Sequence, residues 1–204
     1  MRYSTRRSYR KFDTRGWKKY FPAIALLVIG VALASRDIAF PSNGNGGVDW
    51  RIGKPQVTFW DGATPRSLPE LRSLALKLIN RDRQINGLPP LVEDPLLAQA
   101  AQLHADDMRA RRFYDHVTPE GRTPTDRLAA VGGQGGVGEN IALQYDGDGF
   151  HLILNWELVE KFQKGWMYSD GHRANLLNSQ YTRVGYGIAV DPAGRRIYAV
   201  QNFQ

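Results

Sequence analysis

The order of hydrophobic patterns along the chain predicts an α+β domain, helices layered on a sheet. Three observations point there. Apolar residues recur at helical spacing from Leu71 to Ile79, from Leu97 to Met108 and from Trp156 to Trp166. Two runs rich in strand-forming residues close the chain, Arg183–Asp191 and Arg196–Phe203, joined at a Pro192-Ala193-Gly194 turn. Cys is absent from all 204 residues. An ordinary apolar core must therefore stabilise the domain, because neither a disulfide framework nor a thiolate metal site is possible.

The first helix is announced by Ser67-Leu68-Pro69-Glu70, a capping-box spacing with Ser67 as N-cap. Its stripe is Leu71, Leu74, Ala75, Leu78 and Ile79, and Asn86-Gly87 followed by Pro89-Pro90 ends it. A second helix starts at Asp94-Pro95, an acidic N-cap with Pro at the first helical position, and stops near Arg112. Asp115 to Thr125 reads as loop, followed by a short helix around Asp126–Val131 and a Gly-rich loop. A strand is expected at Glu139–Gln144, then a turn at Asp146-Gly147-Asp148-Gly149. The third main helix covers about Asn155–Met167, with Trp156, Val159, Phe162 and Trp166 along one side, a spacing that favours core packing over a surface groove.

Before the domain lie segments of different composition. Residues 1–20 carry eight basic side chains against Asp13 alone, which equals the whole formal net charge of +7. Residues 21–204 are then neutral by count, so the charge gives no support to nucleic acid as a partner. The basic tail runs into Phe21–Ala34, uncharged and ending in Ala32-Leu33-Ala34-Ser35, the pattern of a secretory segment with a small-residue cleavage site. At ~1.5 Å per residue this run spans about 21 Å, short of the roughly 30 Å hydrocarbon core. Snorkelling of Lys18 and Lys19 would still let it serve as an anchor. Residues 21–35 are thus a signal peptide or a membrane anchor, and either places the domain outside the cytoplasm, secreted or held at the cell membrane. Residues 36–66 form a linker with a flexible Pro41-to-Gly47 stretch, and the domain proper is residues 67–204. The aromatic residues of the linker, Trp50, Phe59 and Trp60, fit either a short strand or packing against the domain.

Several motifs carry no chemistry. Gly133-Gln134-Gly135-Gly136-Val137-Gly138 matches G-x-G-x-x-G, but it follows a short helix and precedes a strand, the reverse of a dinucleotide site. Asp146–Gly149 lacks the spaced acids of a calcium loop. His104 shares an apolar stripe and reads as a hydrogen-bonded core histidine, whereas His151 reads as surface. His116 and His172 sit in loop-like contexts, and Glu139 follows Gly138 at a turn-to-strand junction. Imidazoles and a carboxylate suit proton transfer or a metal ion. Spacing alone leaves a shared site and unrelated polar residues both open.

Ordered blocks narrow the choice. They are Ile79-Asn80-Arg81, Asn86–Leu91, Ala101–Met108, Phe113–His116, Gly121–Pro124, Asp126–Leu128, Gly138–Ala142, Gly165–Leu177, Val184–Ile188 and Gln201–Phe203. Carrying these, the sequence from Leu71 to its end resembles the CAP superfamily (SCP or pathogenesis-related-1-like), its bacterial members most of all. The resemblance implies an α-β-α sandwich whose cleft holds two histidines and two acids. His116, Glu139 and His172 match three of these, but the second acid's position, three residues after Trp166, is Ser169. A hydroxyl is a poorer ligand and base than a carboxylate. On this reading His116 and His172 are the metal ligands, for zinc or another divalent ion held weakly or optionally. The absent cysteines are a second departure, since eukaryotic members are usually disulfide-bonded. The expected function is a non-catalytic binding domain for an envelope lipid, polysaccharide, peptide or protein. One alternative is a metal-assisted hydrolase, a peptidase or cell-wall hydrolase, with Glu139 as general base. Another is a polar cluster that only braces the fold.

Overall fold

The computed structural model describes residues 50–57, 64–145 and 152–204. The basic tail, the secretory or anchor segment, the rest of the linker with Phe59 and Trp60, the Asp146–Gly149 turn and His151 lie outside the described residues. All that follows belongs to one unit, residues 35–204.

Capping sets the helix starts. In α1 (Leu68–Ile85) the Glu70 carboxylate accepts from the N–H and the hydroxyl of Ser67, at 2.8 and 2.7 Å. A two-residue strand, β1 (Val92–Glu93), comes before α2 (Pro95–Arg111). Asp94 caps α2 by accepting from the amides of Leu96 and Leu97, and Arg112 closes it in the left-handed region at φ 57°. The short α3 (Pro124–Ala130) begins at a Thr123/Asp126 capping box, and strand β2 (Gly138–Tyr145) follows. Asn155 caps α4 (Trp156–Tyr168). A further helix, α5 (Asp170–Leu176), follows after Ser169, and the hairpin is β3 (Arg183–Val190) and β4 (Arg196–Phe203). Two of these depart from expectation. His172, read as lying in a loop, sits on α5, whose seven residues are too short to show a period. β1, also unread, pairs in parallel with the start of β3.

The sheet order is β1-β3-β4-β2, with the last two contacts antiparallel. Alternation along β4 sorts the two faces. Ile197, Ala199 and Phe203 join the larger core cluster with Leu71, Leu78, Phe162 and Trp166 of α1 and α4. Tyr198 and Val200 join Ala101, Ala105 and Met108 of α2 on the other face. The result is the α-β-α sandwich. Gly185 and Gly187 explain how closely α2 approaches. A Cβ on Gly185 would stand 2.1 Å from the Ala98 nitrogen, and one on Gly187 would stand 2.4 Å from the Ala101 carbonyl carbon. The helix backbone itself lies on the strand there, so any side chain at either position would push α2 away.

Residues 50–57 lie along the domain, with Trp50, Ile52 and Val57 packed against the larger core cluster. The aromatic at position 50 of the linker therefore packs against the domain, without forming a strand. His104 is fully buried and its Nε2 lies 3.0 Å from the Asp115 carbonyl, the core role expected of it. Phe162 and Trp166 are buried in the core, as their spacing suggested. Among the described residues, no helix is long and apolar enough to cross a membrane.

Candidate functional site

Strand β2 is an edge strand, and two of its carbonyls, those of Glu139 and Ile141, are taken up by side chains rather than by another strand. Tyr114 Oη and Trp166 Nε1 both donate to the Ile141 carbonyl, at 3.1 and 3.0 Å, and Asn175 Nδ2 donates to the Glu139 carbonyl at 3.1 Å. The loop after α2 and helix α5 thereby close on the same end of β2 from opposite faces of the sheet.

Glu139 stands at that end with its side chain only 2% exposed. A buried carboxylate requires partners, and it has them. His116 Nδ1 lies 2.9 Å from Oε1, and Arg127 Nη2 lies 2.5 Å from Oε2. Asn202 is the residue opposite Glu139 in the β2–β4 register. With its amide turned to satisfy its surroundings, it donates to Oε2 at 3.1 Å. Arg127 also shapes the loop, since its Nη1 donates to the carbonyls of His116 and Arg122 at 2.8 and 3.1 Å. The Glu139 hydrogen bond raises the His116 pKa above the ordinary histidine value, against the opposing effect of burial. His116 is nonetheless half exposed, at 49%, so its other ring edge is open to solvent.

His172 enters from α5. Its Nδ1 shares a 2.8 Å hydrogen bond with Ser169 Oγ, the tautomer deciding which of them donates. Burial lowers the His172 pKa, and a protonated His116 lowers it further. The His172 carbonyl accepts from Asn140 at 3.1 Å, and Asn140 follows Glu139 on β2 but points to the other face. The bonds of Asn140 and Asn175 thus bring α5, which carries His172, to the end of β2 where His116 meets Glu139. The acid on the same helix as Trp166, Glu160, does not stand in for the missing second acid, because it pairs with Arg81.

A metal ion would have to use the donors this arrangement leaves open. Both Glu139 oxygens are engaged, and the position three residues after Trp166 offers a hydroxyl. Among the described residues no three or more His, Cys, Asp and Glu side chains are grouped to hold a metal. The residues do not fit a three-donor centre, and the imidazoles of His116 and His172 are the donors that remain.

The sequence reading missed two members of the site, Arg127 and Asn202. Arg127 sat unassigned in the Asp126-Arg127-Leu128 block. The signal for it was physical: a carboxylate at the start of a buried strand needs a cation, and an arginine on a short capped helix can supply one. Asn202 follows from register, which the sequence alone does not fix.

Comparison with known proteins bears on this architecture. The sequence model of the cysteine-rich secretory protein family, CAP, matches residues 76–203. The chain belongs to the CAP family. Its CAP domain is 30% identical to the uncharacterised protein YkwD of Bacillus subtilis over 61% of this chain and 45% of that one. It is 37% identical to the uncharacterised membrane protein YlbC of the same organism, over 63% of this chain and 32% of that one. This chain therefore spans less than half the length of these curated relatives. Among solved structures, an extracellular SCP-domain protein of Bacillus anthracis superposes with a TM-score of 0.55 at 30% identity, covering 69% of this chain and 44% of that one. An outer surface protein of Borrelia burgdorferi shares the fold with a TM-score of 0.57 at 19% identity, covering 70% of this chain and 98% of that one. Unlike the family's name, this CAP domain contains no cysteine. Arg83, fully buried, ties the end of α5 to the loop after α1 by donating to the carbonyls of Pro89, Leu176, Asn178 and Tyr181.

Proposed function

We propose that this CAP domain is a non-catalytic binding module working outside the cytoplasm, secreted or held at the cell membrane. Its ligand is an envelope lipid, polysaccharide, peptide or protein, taken at the face formed by His116, Ser169 and His172. The observation that carries the reading is the engagement of Glu139. A general base needs a carboxylate oxygen free to accept a proton from substrate or water. Here Arg127 and Asn202 hold one oxygen and His116 the other, with the group buried. The groups left facing a ligand are hydrogen-bonding imidazoles and a hydroxyl, which suit recognition. The relatives support the location: the Bacillus anthracis protein is described as extracellular, and YlbC as a membrane protein.

The test is ligand-dependent stabilisation of the full chain against wall glycans, envelope lipids and envelope peptides, in parallel with His116→Ala and His172→Ala. A true ligand at a hundredfold excess over its Kd stabilises by about 2.7 kcal/mol, and both substitutions should abolish that shift. A ligand whose shift survives both substitutions binds elsewhere and overturns the assignment.

A further inference from the structure

The segment before α1 is held as though it were a bound peptide. Arg51 N–H donates to Asn86 Oδ1, and Asn86 Nδ2 returns a bond to the Arg51 carbonyl, both at 2.7 Å. Gly53 N–H donates to Asp82 Oδ1 at 2.9 Å, and Arg81 donates to the Lys54 carbonyl at 2.8 Å. The amides of Gln56 and Val57 both donate to the Glu160 carboxylate. Every one of these bonds reads main chain, so the contact fixes the path of the segment rather than its side chains. A Cβ on Gly53 would stand 2.3 Å from Arg81 Cδ, so any side chain there must displace the Arg81 side chain from its bonds. At the upstream end, Trp50 meets Tyr168 edge-on at 5.6 Å, and the Arg173 guanidinium lies 4.3 Å from the ring centroid. Tyr168 and Arg173 flank Ser169 and His172 in sequence.

Asp82 is where this segment meets the interior. It is fully buried, and its carboxylate accepts from Gly53, from Arg81 and, at 2.8 Å, from Gln163 Nε2. Gln163 Oε1 then accepts from Gln201 Nε2 at 3.1 Å, and Gln201 Oε1 accepts from Asn140 Nδ2 at 3.2 Å. Asn140 donates onward to the His172 carbonyl, while its own Oδ1 accepts from Asn175 at 2.9 Å. A carboxylate can only accept, so Asp82 forces Gln163 to present its nitrogen. That choice orients Gln201 and then Asn140 in turn, all three buried. The polarity of the whole amide row is thus fixed at the strap end and delivered at α5.

We propose that residues 50–57 are a latch whose docked state holds the His172 side of the site in place, so that release of the strap loosens α5 and weakens ligand binding there. The binding part rests on the function proposed above, while the mechanical part does not. The strap reaches α5 by two routes, the Trp50 cage on the surface and the amide row through the core. Fully satisfied buried networks hold one arrangement and lose it cooperatively.

Hydrogen exchange on the full chain tests the latch without any ligand. In the native protein the amides of residues 53, 56 and 57 should be protected. In Gly53→Ala and in Trp50→Ala, exchange within 170–176 should rise about tenfold, with α2 on the other face unchanged. Trp50→Ala removes a half-buried ring at the domain's edge and keeps the test available if Gly53→Ala does not fold. Strap amides deprotected while 170–176 exchanges at the native rate would overturn the proposal, as would native strap amides with no protection. Where the screen yields a ligand, the same variants should raise its Kd at least about fivefold. A screen that yields none sinks the binding reading and leaves the exchange result to decide the latch.

Discussion

The two imidazoles at the end of β2 keep opposite company. On the His116 side the partners are charged: a buried carboxylate and the Arg127 guanidinium. On the His172 side they are neutral, namely Ser169 and the amides of Asn140 and Asn175. The pKa shifts follow, upward for His116 through its bond to Glu139 and downward for His172 through burial. One half of the site is built to hold a proton and the other to go without one. The contrast comes from strand alternation, because Glu139 faces α2 and its neighbour Asn140 faces α4.

The sharpest way to break this comparison is to remove the cation from the charged half. Arg127→Ala leaves the Glu139 carboxylate buried beside a half-exposed histidine. It should cost about 3–5 kcal/mol by equilibrium denaturation. Asn140→Ala, in the neutral half, strands single hydrogen-bonding groups rather than a charge and should cost about 1–3 kcal/mol. Equal losses from the two substitutions would mean that the halves are energetically alike. Arg83→Leu serves as the structural reference. It orphans four carbonyls, three of them at or just after the end of α5, and should also cost about 3 kcal/mol or more, without moving either histidine's titration.

The helices were legible because their signals are local. Ser67 with Glu70, and Asp94 with Pro95, mark their starts in four or fewer consecutive residues. The hairpin was legible because two eight-residue strands show their composition on either side of a turn. β1 and α5 were not, since two residues and seven residues carry too little period. Within the site, His116, Glu139 and His172 could be named only through their ordered motif blocks. Arg127, Asn202 and the Gln163–Gln201–Asn140 row depend on which residues face each other across the sheet. Glu139 opposite Asn202 and Asn140 opposite Gln201 are facts of register, fixed only once β2 and β4 have paired.

Changing pH should separate the two halves by sign. The raised His116 pKa contributes stability that is fully present below the unfolded value of about 6.5 and fades as pH rises through the folded one. The lowered His172 pKa contributes stability that is present above about 6.5 and is lost as pH falls through its folded value. Relative to the native chain, His116→Gln should therefore be most destabilised in mild acid and converge with it above neutrality. His172→Gln should gain on the native chain as the solution becomes acidic. Both residues are partly exposed, so the differences in Tm should be about 1–2 °C. Parallel profiles for the two variants would erase the distinction.

The smallest expected effect is that of metal on the native chain. With Glu139 held by Arg127, two imidazoles alone would give a divalent ion little purchase, so chelation should leave Tm within about 1 °C. Ser169→Asp turns the same experiment into a sharper one. A carboxylate at this position, where the Ser169 hydroxyl lies 2.8 Å from His172, would raise the pH at which that ring titrates and supply the missing third donor. Zinc should then raise Tm by several degrees in the variant while leaving the native protein nearly unmoved. If the native chain instead loses several degrees on chelation, Glu139 must leave Arg127 to bind the ion. The charged half would then be a ligand set in waiting, and the difference between the two sides of the site would exist only in the metal-free state.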